Sequence, residues 1–116
     1  MTHEVGLGTI VWVALMPVKG REQGGHRPAV VISSSDYLSV VTDVVIVLPS
    51  TTVDRGWPNH VLIAGPTGLQ EPTYAMTEQP RTISRDRITG VAGQVDAETL
   101  ARLEMWVRDW TFASQD

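Results

Sequence analysis

The sequence predicts a mainly β domain: a small, strongly bent antiparallel barrel followed by one C-terminal helix. Three observations carry that prediction. Short runs rich in β-branched and aromatic residues recur between Thr9 and Gln94. Corners bearing glycine or proline separate them. Apolar residues at sustained helical spacing occur only after Asp96. A chain of 116 residues supports a single domain with one modest core. The barrel is expected over about residues 8–94 and the helix over about 96–112.

The elements follow in order. Thr9 to Leu15 is apolar almost throughout, which predicts a strand covered on both faces. Met16 to His26 is a long connection, and connections of that length tend to carry function. Pro28 to Ser33 is the second strand, Ser34-Ser35-Asp36 opens a turn or short helix, and Asp43 to Leu48 is the third strand. Ser50 to Pro58 is a loop holding Trp57, which either stacks on a nucleic-acid base or packs beneath its own loop. His60 to Ala64 is a short strand, and Gly65-Pro66-Thr67-Gly68 is a turn. Thr73 to Glu78 and Arg81 to Ser84 are strands on either side of Pro80, which marks an edge or bulge. Ser84 to Arg87 makes a turn, and Ile88 to Gln94 is a last strand weakened by Gly90 and Gly93. Asp96 caps the helix, and Glu98 complements its positive end. Leu100, Leu103, Val107 and Trp110 recur on one face with Trp106 at its shoulder, a stripe that reads as core packing.

Composition removes several function classes. The absence of cysteine excludes disulfides, thiolate metal sites and a cysteine nucleophile. No apolar run reaches membrane-spanning length and Met1 to Gly8 lacks a signal pattern, so a soluble cytoplasmic protein is expected. His3, His26, His60 and the carboxylates show no metal-site spacing, and no cofactor motif appears. The net charge of −4 opposes long-range attraction of nucleic acid, but residues 96–116 carry −3 of it. Eight of the nine basic residues are arginine, the side chain suited to bidentate phosphate contact.

Two stretches hold the chemistry. Lys19 to Gly25 is a charged, glycine-bearing loop that leads through His26-Arg27-Pro28 into a strand. Pro28 holds Arg27 extended at the strand mouth. The other strand, Val44 to Leu48, leads into Pro49-Ser50-Thr51-Thr52 and so ends in three hydroxyls. With Gly8-Thr9-Ile10-Val11-Trp12-Val13 before them and Gln79-Pro80-Arg81-Thr82-Ile83 after, these stretches resemble the PemK/MazF family of toxin endoribonucleases, in order and spacing from residue 8 to about 90. The resemblance implies an SH3-like barrel of the PemK/CcdB kind, usually a homodimer, held in check by an antitoxin protein. It also implies cleavage of single-stranded RNA at a short sequence, without metal, to 2′,3′-cyclic phosphate and 5′-hydroxyl ends.

By resemblance, catalysis falls on Arg27, which stabilises phosphate charge, and on Thr51, which hydrogen-bonds a phosphate oxygen. Thr51 alone also reads as a turn cap. Glu22 is the candidate base, or the group that orients Arg27. Gln23, Lys19, Arg21, Thr52 and Trp57 are candidate RNA contacts, with Ser33 and Gln79 as possible parts of the site wall. Arg81, Arg85 and Arg87 form the basic cluster, read as phosphate contacts or dimer-interface partners. His26 precedes Arg27 and is expected on the opposite side of an extended chain. Two departures from the family pattern stand out: Ala14 where an acidic residue is common, and Pro80 in place of an aliphatic residue. Two further functions fit a fold of this kind: a CcdB-like gyrase poison acting by protein contact, and a catalytically inactive binding module. The chain ends without the poison's C-terminal residues and keeps both chemical stretches.

Overall fold

Both faces of β1 (Thr9–Ala14) meet apolar neighbours, as its uninterrupted hydrophobicity predicts. In the computed structural model, which describes residues 4–14 and 26–112, Ile10 joins a core with Val30, Leu48, Val61, Ala75 and Leu103. Val11 and Val13 point the other way, into a second core with Ala29, Val31, Val45, Val47 and Ile83. The alternation is that of a strand whose successive side chains face opposite sides.

After β1 come β2 (His26–Val31), helix α1 (Ser35–Val40), β3 (Val44–Thr51), β4 (His60–Leu62), β5 (Tyr74–Met76) and β6 (Arg81–Ser84). A 3₁₀ turn (Arg85–Arg87), β7 (Ile88–Gln94) and helix α2 (Ala97–Thr111) complete the described residues. Every strand pair is antiparallel, in the order β4-β5-β3-β2-β1-β7, with β6 also on β3. β3 binds the parts together. Val44 to Val47 pair with β6, Val47 to Pro49 with β2, and Ser50 and Thr51 with β5. The strand therefore runs three residues beyond its expected end at Leu48. Pro49 does not stop it, because the missing N–H falls where β3 passes from one set of partners to the next.

The mainly β class with a terminal helix agrees with expectation, but strand pairing does not close the barrel. Past Leu62 the chain turns through Gly65-Pro66-Thr67-Gly68 and lies on the end of β7. The Asp96 N–H donates to the Ala64 carbonyl at 2.9 Å and the Gln94 N–H to the Pro66 carbonyl at 3.1 Å. Two backbone bonds thus bridge the gap where a ladder would run. The approach requires glycine: a Cβ on Gly93 would stand 2.2 Å from the Pro66 oxygen. One on Gly68, at φ +70°, would stand 2.1 Å from the Ala92 oxygen.

Helix α2 starts on its expected cap, Asp96, and α1 is capped by Ser34, where a turn or short helix was expected to open. Ser34 Oγ accepts the Tyr37 N–H at 3.1 Å, and an Asp96 carboxylate oxygen accepts the Thr99 N–H at 2.8 Å. That bond, with further help from the charge of Arg102 and against slight desolvation, holds the Asp96 carboxyl below its ordinary pKa. Leu103 is fully buried, and Leu100, Trp106 and Val107 pack beside it. Trp110 departs from the expected core stripe. It is 51% exposed, stacks on Trp106 with ring centroids 5.8 Å apart, and donates its indole N–H to Thr77 Oγ1 at 3.3 Å.

Candidate active site

The antiparallel pairing of β2 with β3 ends at Ala29 and Pro49, and Arg27 and Thr51 each lie two residues beyond that last pair. The two residues border one cleft of about 600 Å³, together with Trp12, His26, Pro28, Ser50 and Thr52. Its other wall is Gly68, Leu69, Gln70, Glu71 and Thr73. The volume lies in the range of small-molecule and cofactor sites. Arg27 is exposed and Thr51 half-buried, so a guanidinium and a hydroxyl converge on open space. Glu22, Gln23, Lys19 and Arg21 lie outside the described residues.

Thr51 Oγ1 accepts the Val53 N–H at 3.1 Å. The hydroxyl therefore caps its turn with a lone pair and keeps its proton to donate. His26 corrects the expectation made for it: it borders the same cleft as Arg27. The cleft lies across the first residues of β2, so both faces of the strand reach it. Thr89 Oγ1 donates to the Trp12 carbonyl at 3.3 Å and stands 2.7 Å from His26 Nδ1. With its proton directed to that carbonyl, the hydroxyl accepts from His26 Nδ1–H.

Several expected contacts lie elsewhere. Ser33 is buried, accepting the Ile46 N–H at 2.7 Å and donating to the Ile46 carbonyl at 3.3 Å. It joins β2 to β3 and does not line the cleft. Arg85 Nη2 donates to the Leu38 and Val41 carbonyls at 2.9 and 2.6 Å, and its Nε donates to Val44 at 3.2 Å. The guanidinium thus closes the end of α1. Arg87 Nη1 reaches the Ala14 carbonyl at 3.5 Å, and Arg81 is exposed on β6 opposite Val47. None of the three borders the cleft of Arg27. A larger cavity of about 870 Å³ does include Arg85, but with Glu4, Asp43 and Asp86. That balance does not favour a polyanion.

Trp57 satisfies part of each expectation. Its ring lies 4.8 Å from that of His60 at 53°, with Arg55 5.6 Å from its centroid, yet it remains 49% exposed. His60 is buried and its Nε2 meets Glu78 at 3.1 Å, while its Nδ1 has no partner among the described residues. Asn59 Nδ2 and Gln79 Nε2 also donate to Glu78, at 2.8 and 3.1 Å. Partial burial pushes the Glu78 carboxyl up, but the bonds from His60, its own backbone N–H and Gln79, with the His60 charge, outweigh it. The carboxyl sits below its usual pKa. Gln79 thus belongs to this second cluster. Among the described residues, no three His, Asp or Glu side chains are grouped to hold a metal ion, and no helix is long and apolar enough to cross a membrane.

Sequence reasoning missed the wall at 68–71. Its only signal is the Gly65-Pro66-Thr67-Gly68 turn, which marks a corner and not what the corner faces.

Comparison with known proteins identifies the family and the fold. The model of the PemK-like, MazF-like toxin of type II toxin–antitoxin systems matches residues 7–111. The Escherichia coli protein named endoribonuclease toxin MazF is 36% identical over 95 residues, 81% of this chain and 82% of its own. Endoribonuclease MazF9 of Mycobacterium tuberculosis is 37% identical over 103 residues, covering 84% and 87%. The MazE–MazF crystal structure from Deinococcus radiodurans superposes with a TM-score of 0.80 at 27% identity, covering 95% of this chain and 97% of that one. The chain belongs to the PemK-like, MazF-like toxin family of type II toxin–antitoxin systems.

Proposed function

We propose that this MazF-type endoribonuclease toxin cuts single-stranded RNA at a short sequence, using the RNA's own 2′-hydroxyl as nucleophile and no metal ion. The 2′-oxygen attacks the adjacent phosphorus, the bond to the 5′-oxygen breaks, and the products carry a 2′,3′-cyclic phosphate and a 5′-hydroxyl. The observation that carries this reading is the placement of Arg27 and Thr51 on one cleft. A fixed guanidinium suits the charge that builds on the phosphate, and a hydroxyl with its proton to give adds a second donor. Such positioned donors contribute about a hundredfold each or more.

Arg27 stabilises the transferring phosphate and is the donor in place for the leaving oxygen. Thr51 binds a non-bridging oxygen, with Thr52 beside it. Glu22 takes the 2′-proton or orients Arg27, and Lys19, Arg21 and Gln23 contact the RNA from the same connection. Single strands are the substrate because sequence readout in RNA needs unstacked bases. The protein acts in the cytoplasm as a homodimer. A cognate antitoxin restrains it, a partner that the MazE–MazF complex of the Deinococcus relative supports.

The test is cleavage of a long unstructured RNA in EDTA by the purified chain, beside Arg27→Ala, with the ends mapped and their phosphates identified. Discrete cuts with cyclic-phosphate ends, reduced at least about a hundredfold in the variant, are expected. Cuts that persist in the variant remove Arg27 from the site. No cuts from folded protein overturn the enzyme reading in favour of a binding module.

A further inference from the structure

Resting on that ribonuclease reading, we propose that Glu71 reads the RNA sequence, selecting at one position of the cleavage motif a base that presents an exocyclic amine. Nothing in the chain's order marks Glu71 for this; its place does. It is an exposed carboxylate on the cleft that holds Arg27 and Thr51.

A carboxylate beside a polyanion must face something other than phosphate. An ionised carboxylate only accepts hydrogen bonds, through two oxygens, and phosphate oxygens also only accept. The RNA groups that match it are donors, and the donors that distinguish bases are the amines of adenine, cytosine and guanine. Uracil has carbonyls in their place and a single imino N–H. The cleft therefore separates by chemistry. β2 and the end of β3 supply donors for phosphate, and the wall at 68–71 supplies acceptors for a base edge, with Gln70 beside Glu71.

The backbone of the wall is tied down on both sides of Glu71. The Glu71 carbonyl accepts Thr73 Oγ1–H at 2.9 Å, and the Leu69 N–H donates to Thr67 Oγ1 at 3.1 Å. Gly68 lies so close to Ala92 that a Cβ would meet its oxygen. The backbone that carries Glu71 is thereby tied at both ends, so the cost of ordering on binding falls mainly on the side chain itself. A platform for the base is adjacent. Trp12 and Leu69 line the cleft half-buried, and Trp12 pairs on one side with Gly90, which has no side chain to cover the indole. A base stacked there shares the cleft with Glu71.

The experiment compares the wild-type chain with Glu71→Ala and Glu71→Gln on a long unstructured RNA. It then uses pairs of short oligonucleotides that differ only in one motif base, an amino-bearing base against uracil. In the wild type, one motif position excludes uracil. In Glu71→Ala that exclusion falls by roughly tenfold to a hundredfold in kcat/KM while cuts appear at additional sites. Glu71→Gln, which keeps one acceptor and gains donors, lies between or shifts toward uracil. An unchanged motif in Glu71→Ala, or an equal loss on every sequence from a variant of unaltered thermal midpoint, overturns the proposal and leaves the ribonuclease intact. A wild-type chain that cuts nothing overturns both.

Discussion

At the scale of residues, Thr51 uses one oxygen twice. A lone pair holds the Val53 N–H, and in the proposed mechanism the proton goes to a phosphate oxygen, so a structural and a proposed chemical role share one hydroxyl. The two separate by measurement. Thr51→Val keeps the shape and removes both. Loss of the turn bond costs about 1 kcal/mol of stability, read by chemical denaturation. Loss of the donor to developing charge lowers kcat about a hundredfold. Thr51→Ser restores most of kcat, and a serine variant as slow as the valine one removes Thr51 from catalysis. Thr51 and Arg27 were marked by the family resemblance, carried by an Arg-Pro pair at a strand mouth and a row of hydroxyls after a strand, and both border the cleft. Glu71 was not legible. A single carboxylate in a loop has no periodicity, and only the packing of residues 65–68 on β7 brings it to the cleft. Ser33 shows the reverse error. A small polar residue at a strand end reads as a site wall, yet its hydroxyl closes on Ile46 of the neighbouring strand.

At the scale of elements, the strands and α2 followed from apolar runs and caps, because those signals are local. The exchange of partners along β3 was not visible, since it depends on where β5 and β6 arrive. Nor was the open seam, which rests on backbone contacts that no side-chain pattern records. The seam makes its own prediction. Gly68 and Gly56 both have positive φ, +70° and +74°, but a Cβ on Gly56 would meet nothing within 4 Å. Gly56→Ala therefore carries only the left-handed strain, about 1–2 kcal/mol. Gly68→Ala adds a clash with the Ala92 carbonyl, and overpacking costs about 1–3 kcal/mol more. Denaturant titration should show the larger loss at Gly68, with altered cleavage specificity as well, because residues 68–71 form the wall of the cleft. Equal losses at the two glycines would mean that the seam yields freely.

At the scale of the whole molecule, an RNA enzyme with a net charge of −4 must bind against its own average field. Much of that field comes from the last stretch. Residues 96–116 hold −3 of the total, while Glu98 and Glu104 are already offset by Arg102 and Arg108 at 3.4 and 3.1 Å. Asp109 is exposed on α2, and it has no part in the cleft. The molecule measures 28 and 35 Å along its shorter axes, close to the Debye length of about 30 Å at 0.01 M salt. A charge on α2 is thus felt at the cleft in dilute buffer and hidden at about 8–10 Å screening in physiological salt. Asp109→Lys should therefore raise kcat/KM on a short RNA several-fold at low ionic strength through faster association, leave kcat unchanged, and lose its advantage near 0.15 M salt. If the gain persists at high salt, the lysine makes a direct contact and α2 lies on the RNA path. If no gain appears at any salt, the local donors on β2 and β3 set the encounter alone, and the acidity of the helix is irrelevant to the substrate.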